Sequence, residues 1–245
     1  MEIPNQAMFH PIKFGNALAM LAEKAGAKIF TNSKVLTIEN LTAKTLTGEV
    51  KAQDIIIATY RPITNEGTHF KKGLYDSYVY ELEIKKGIIS EGMYLDMHNP
   101  YHYFRVDDYG HNSRMVLGGE DHRRAIKINP EKNFKALGEY AQKLLPVGSF
   151  KIIKRWQSGV LEPSDGLPLI GAIKPHVFAA TAFSGNGMTY AALSGLIIRD
   201  LIIGHTNPYI ELYDPKRTLK IKALLIKGRD YTVEFLGGAF KNLFH

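Results

Sequence analysis

No cysteine occurs in the 245 residues. Disulfides, thiolate metal ligands, iron–sulfur clusters and a cysteine nucleophile are thereby excluded, so any electron chemistry needs a bound cofactor. No apolar run reaches the length of about 18 to 20 residues that a helix needs to span a bilayer. The opening MEIPNQAMFHPIKF has none of the basic start, apolar run and small-residue cleavage site of a secretory signal. A cytoplasmic protein without a membrane span is expected. A G-x-S-x-G elbow and a Walker A loop are also missing, which leaves hydrolase and NTPase readings without support. Internal repeats and low-complexity segments are absent.

What is present is ordinary globular composition, 45% hydrophobic and 22% charged. The length suits one large domain or two small ones. The net charge is +7, and residues 214 to 245 carry +4 of it. In that tail, RTLKIKALLIKGRD interleaves its lysines with leucine and isoleucine, the pattern of an amphipathic segment whose basic stems lie along the surface. The tail is read as a solvated face, and no nucleic-acid partner is expected.

Residues 13 to 25 place Leu18, Leu21, Ala22 and Ala25 on one helical face, with Gly26 as the stop. KIFTNSKVLTIEN, TAKTLTG and VKAQDIIIATY read as short strands. The run Ile55, Ile56, Ile57, Ala58 predicts a strand covered on both faces. From residue 75 to 119 the chain becomes rich in aromatic and β-branched residues that alternate with polar ones, which predicts an antiparallel sheet with one wet face. A polar helix is expected over about 131 to 145, stopped by Pro146, followed by the strand FKIIKRWQSGVL and the loop EPSDGLPLIG. The order is α/β, an antiparallel α+β insert, then α/β again.

The last α/β segment is VFAATAFSGNGMTYAALSGLIIRDL, residues 177 to 201. An apolar strand turns through Gly185, Asn186 and Gly187 into a helix whose apolar residues run nearly all round it, so the helix is expected to be buried. Residues 185 to 189 would present backbone N–H groups at the positive end of that helix, a place for an anion, a phosphate or an electron-rich ring carbonyl. A dinucleotide fingerprint does not fit, because Tyr190 stands where G-x-G-x-x-G needs its third glycine and no βαβ unit follows. A bare glycine turn is the other reading.

Three ordered motifs decide between them. SDGLPLIG, the glycine turn with its small-residue helix and NPYIELYDPKR resemble the C-terminal part of the D-amino-acid oxidase, glycine oxidase and sarcosine oxidase superfamily of FAD-dependent oxidoreductases. HPIKFGNALAMLAEKAGAKIFTNSKVLTIE with IIIAT is similar to that family's middle FAD-domain segment, and YFRVDDYG with VLGGEDHR to its substrate-domain sheet. RWQSGVLEPSDGLPLIG resembles a branch sometimes fused to a Rieske domain, for which this sequence has no cysteines. The resemblance covers nearly all of residues 8 to 217.

The resemblance implies a partial FAD-binding Rossmann-like domain with an antiparallel-sheet substrate domain, divided as 1–66, 67–150, 151–213 and a basic tail, 214–245. The N-terminal GxGxxG unit is missing, so a truncated or split arrangement is expected. It implies FAD as cofactor, with the backbone of Gly185, Asn186, Gly187, Met188 and Thr189 against the pyrimidine edge of the flavin. Asp165 and Gly166 would lie near the ribityl chain, Val35 would touch the adenine, and Ala58 and Thr59 would pass the pyrophosphate. Without a ligand, Asp165 only starts a turn and Val35 is a core residue. The activity implied is oxidation of a C–N bond of an amino acid or secondary amine, with hydride passing to flavin N5. A substrate carboxylate calls for a forked cation, which makes Arg105 the candidate with Tyr101 or Tyr103 as neighbour; the alternative for Arg105 is an ion pair with Asp107 or Asp108.

His98 and His102 have the spacing of a helical metal pair, but Pro100 between them opposes a helix. Glu120, Asp121 and His122 are read as a strand-end loop facing the cleft, with no metal. Two roles stay open: an enzyme that works with a companion chain carrying the missing opening, or a non-catalytic remnant or binding subunit.

Overall fold

The computed structural model describes residues 7–60, 72–97, 100–124, 129–163 and 165–217. Its contacts divide the chain into two units, Met1–Ile29 with Leu74–Val160, and Phe30–Gly73 with Leu161–His245.

The first unit is built on a five-stranded sheet of β5 (Lys72–Lys85), β6 (Gly92–Leu95), β7 (His102–Tyr109), β8 (Asn112–Arg123) and β9 (Phe150–Pro163), in the order β6-β7-β8-β5-β9. The pairs β6/β7, β7/β8 and β5/β8 are antiparallel. Alternation along β7 sends His102, Phe104 and Val106 inward and leaves Tyr103, Arg105 and Asp107 on the opposite face. The inward residues, with Tyr78, Tyr80, Leu82 and Ile84 of β5 and Met115 and Leu117 of β8, pack on Phe134, Leu137 and Ala141 of α2 (Pro130–Leu144). Asn129 caps α2 by accepting from the Glu131 amide, and Pro130 fits the first helical position, which needs no donor. The Asn133 amide donates to the Glu120 carbonyl at 2.8 Å and ties α2 to β8.

In the second unit, β10 (Leu169–Lys174) and β11 (Val177–Thr181) form a hairpin, and β11 runs parallel to β4 (Ile55–Ile57). The helix α3 (Gly187–Ile203) lies on this sheet through Ile197 and Ile198, which join Ile170, Phe178 and Ala180, and Tyr213 of the short α4 (Ile210–Tyr213), in the core. Gly204 ends α3 in the left-handed region. A separate antiparallel meander is formed by β1 (Thr37–Glu39), β2 (Thr42–Lys44) and β3 (Glu49–Lys51).

Three local expectations are corrected. The strand expected over 28–40 is confined to Thr37–Glu39, where β2 supplies a hydrogen-bonding partner. Ile56 is 51% exposed, because β4 is an edge strand whose outer face no described element covers. α3 is buried along one stripe only, and Leu196, Ile202 and Ile203 on its outer side are exposed. The helix near the start, α1 (Pro11–Lys24), likewise has no buried residue. Residues 218–245, with most of the basic tail, and His98 lie outside the described residues.

Candidate functional site

Because β4 and β11 are parallel neighbours, their carboxyl ends meet at one edge of the sheet, the place where open α/β sheets take ligands. Ala58 and Thr59 leave β4 there, and the turn from Ala182 to α3 leaves β11. The Thr181 hydroxyl donates to the Tyr60 carbonyl at 2.6 Å and joins the two exits. The Ser184 amide donates to the Leu161 carbonyl at 3.1 Å, so the end of β9 lies at the same place. Tyr60, Ala182, Ser184 and Gly185 all have φ between +50 and +83. For the first three this is the left-handed region that costs an ordinary residue about 1–2 kcal/mol, and such strain collects at ligand sites.

No side chain caps the N-terminus of α3 and no acid stands in its first turn. A Cβ built on Gly185 or Gly187 meets nothing within 4 Å. The Ser184 hydroxyl is buried without a partner. Unsatisfied N–H groups at a positive helix end, open space over two glycines and an orphan hydroxyl fit an anionic or electron-rich ring edge, as the flavin's pyrimidine edge is. Asn186, Met188 and Thr189 complete this turn.

Asp165 and Gly166 belong to a second piece of the same unit. Asp165 accepts from the Leu167 amide at 3.1 Å, an Asx turn, while Gly166 takes φ +78. Arg217 grips both carboxylate oxygens at 2.7 and 2.8 Å, and also donates to the carbonyls of Leu167, Pro168 and Asp214. Burial pushes the Asp165 carboxyl up, but the hydrogen bonds from Arg217 and the Leu167 amide outweigh it and leave the group below its ordinary 3.8. Val35 is half-buried just ahead of β1.

On the outer face of the five-stranded sheet, Arg105 Nε lies 2.8 Å from Asp107 in ion-pair contact without hydrogen-bond alignment, and Nη1 donates to the Phe9 carbonyl at 2.9 Å. The Tyr103 hydroxyl lies 3.3 Å from Ser77 Oγ, and burial raises its pKa, so the phenol stays protonated. The ring of Tyr103 rests on the backbone of Gly118: a Cβ there would come within 2.3 Å of it. Gly118→Ala is therefore expected to displace Tyr103, seen as a change in its tyrosine NMR resonances.

Glu120, Asp121 and His122 are strand residues of β8, which corrects the loop reading. A register shift opposite Ser77 and a left-handed Glu120, φ +55, re-aim these side chains. Glu120 turns inward to His102 Nε2 at 3.0 Å, while Asp96 meets Nδ1 at 2.9 Å and Tyr140 stacks on the ring. Both nitrogens of His102 are thus engaged by carboxylates. Asp121 turns outward, where the Tyr101 hydroxyl donates to Oδ2 at 3.3 Å and Ser77 supplies a further hydrogen bond. Sequence reasoning passed over Ser77 and Arg217, whose partners lie 26 and 52 residues away.

The chain matches, over residues 1–201, the family described as FAD dependent oxidoreductase. It is 25% identical over 225 residues to YhfW of Bacillus subtilis, a protein named as a Rieske 2Fe-2S iron-sulfur protein, covering 89% of this chain and 44% of that protein. OrdL of Haemophilus influenzae, named as an oxidoreductase, is 24% identical over 82% of this chain and 48% of its own length. The chain spans about half the length of these curated relatives. Among solved structures, L-proline dehydrogenase from P. horikoshii has the same fold with a TM-score of 0.68 at 23% identity, over 84% of this chain and 59% of that one. Glycine oxidase from Geobacillus kaustophilus gives 0.66 at 18%, over 84% and 57%. The strained glycine turn at the carboxyl edge of β4 and β11 thus stands in a fold shared with these enzymes, and the chain belongs to the family of FAD dependent oxidoreductases.

Proposed function

We propose that the chain is part of an enzyme that oxidises a C–N bond of an amino acid or secondary amine. The observation that carries this reading is the uncapped N-terminus of α3 beneath two open glycines, next to the ends of β4. When bound, FAD supplies the hydride acceptor, its N5, for the substrate's α-carbon. The amides of Gly185, Gly187, Met188 and Thr189 would hold the pyrimidine edge and favour the negative charge that reduction brings, while the Asn186 amide donates to the Phe183 carbonyl at 2.9 Å and shapes the turn. Asp165 and Gly166 hold the ribityl chain in a loop that Arg217 fixes, Ala58 and Thr59 border the pyrophosphate, and Val35 meets the adenine. Tyr103 and Arg105 receive the substrate, Tyr103 as a protonated donor and Arg105 as the cation for a carboxylate.

The exposed apolar faces of α1, β4 and α3 support a companion chain that carries the Gly-x-Gly-x-x-Gly opening and covers them. No helix among the described residues is long and apolar enough to cross a membrane, and a cytoplasmic setting is part of this proposal.

An absorbance spectrum of the purified chain, alone and with added FAD, followed by anaerobic titration with amino acids and secondary amines, tests the reading. Flavin bands that bleach are the expected result. A chain that binds no flavin even at high FAD, with or without a companion, would be a non-catalytic remnant.

A further inference from the structure

We propose that Asp121 is an amine-recognition group, its carboxylate receiving an alkylammonium ion beside the rings of Tyr101 and Tyr103. The inference rests on the outer face of the five-stranded sheet being the substrate face, as proposed above.

Asp121 Oδ1 is out of water and has no hydrogen-bond partner, while the Tyr101 hydroxyl reaches Oδ2 at 3.3 Å and Ser77 stands beside the carboxylate. The described residues place no lysine or arginine in ion-pair contact with this carboxylate; the titratable neighbours are the imidazoles of His122, whose burial favours the neutral form, and His102. Burial therefore lifts the Asp121 carboxyl above its ordinary 3.8, and the hydrogen bonds of Ser77 and Tyr101 offset this only in part. A half-buried anion with an unused oxygen calls for a cationic N–H donor.

The surroundings suit one. The rings of Tyr101 and Tyr103 stand 6.0 Å apart at 32°, and Tyr101, 45% exposed, is the wall that faces water. Two electron-rich rings beside a carboxylate are the chemistry that binds alkylammonium groups. An ammonium N–H replaces the long Tyr101 contact and gains a charged acceptor. Ser77, linking Asp121 to the Tyr103 hydroxyl, fixes the carboxylate's orientation. Fixed in this way, Asp121 also accepts the proton that an ammonium must shed before its carbon can lose hydride: R–NH3+ and the carboxylate become R–NH2 and the carboxylic acid.

The test is a melting titration of the full chain with benzylamine and with its anionic counterpart benzoate. Benzylamine is expected to raise the wild-type melting temperature. Asp121→Asn should weaken benzylamine at least tenfold, leave any benzoate shift in place, and itself melt no lower than wild type at pH 7, since it removes a desolvated charge. Tyr101→Leu, which keeps the carboxylate, should weaken benzylamine by a smaller factor. Equal benzylamine affinity in wild type and Asp121→Asn, or no benzylamine effect on wild type, overturns the proposal. The readout needs no flavin, so a chain that binds benzylamine through Asp121 yet takes up no FAD would sink the flavin reading alone.

Discussion

Replacing Arg217 by alanine is expected to lower stability by about 3 kcal/mol, because it leaves a buried carboxylate unpaired. The side chains of Arg217 and Asp165 are only 12% and 15% exposed, and the guanidinium also holds three backbone carbonyls that lose their donors. For a chain of this length, the loss corresponds to a fall in melting temperature of roughly 6–12 °C. Arg217→Lys should recover only part of it, since a single ammonium cannot span both carboxylate oxygens and three carbonyls. The pH dependence has a definite sign. Asp165 is held below its ordinary 3.8, so its contribution is present above that pH and is lost as pH falls through the lower, folded value. The gap between wild type and Arg217→Ala in thermal melts should therefore be full at pH 7 and shrink below about pH 4. A gap independent of pH would mean that the carbonyls, and not Asp165, account for the loss. Because the same grip fixes the proposed ribityl loop, the variant should also lose flavin affinity.

Local patterns of the fold were legible because they are written in short spacings. The alternation of buried and half-buried residues along β7, the Pro146 stop after α2 and the glycine turn into α3 each occupy a few neighbouring positions. The opposite holds for features set by distant partners. Arg217 read as one basic residue in a charged tail, and only its meeting with Asp165 gives it a role. Asp121 stood in a cluster suggestive of a loop, yet a register shift opposite Ser77 keeps it in a strand and turns it away from the helix-covered face. Hydropathy misled in a third way. Ile56 and the outer side of α3 are apolar enough for a core, but burial depends on a covering layer, and no described element provides one.

Introducing a negative charge at the head of α3, as in Gly187→Asp, is expected to strengthen the chain and weaken its cofactor binding. The first turn of this helix has neither an acid nor a capping side chain, and a side chain on Gly187 meets no neighbour within 4 Å. An acid there complements the helix dipole, and the exchange of glycine for a residue with a side chain favours the helix, so a gain of about 0.5–1 kcal/mol is expected in thermal melts. If the turn held no ligand, that would be the whole effect. Under the proposed function the same carboxylate lies beside the flavin's pyrimidine edge and takes the amides meant for it. The oxidised ring has no full charge at this edge, so the loss comes from the occupied amides and the repulsion of its electron-rich carbonyls, and FAD affinity should fall at least about tenfold, measured by flavin fluorescence in the assembly that holds it. The reduced, anionic flavin should lose more, since two like charges about 4 Å apart near a protein surface repel by about 4 kcal/mol. Gly187→Asn has the same shape without the charge and should keep more of the binding. Stability rising while binding weakens identifies a site whose features serve a ligand at the helix's expense. If Gly187→Asp binds FAD like the wild type, the turn is only a turn, and the cofactor must be sought elsewhere in the chain.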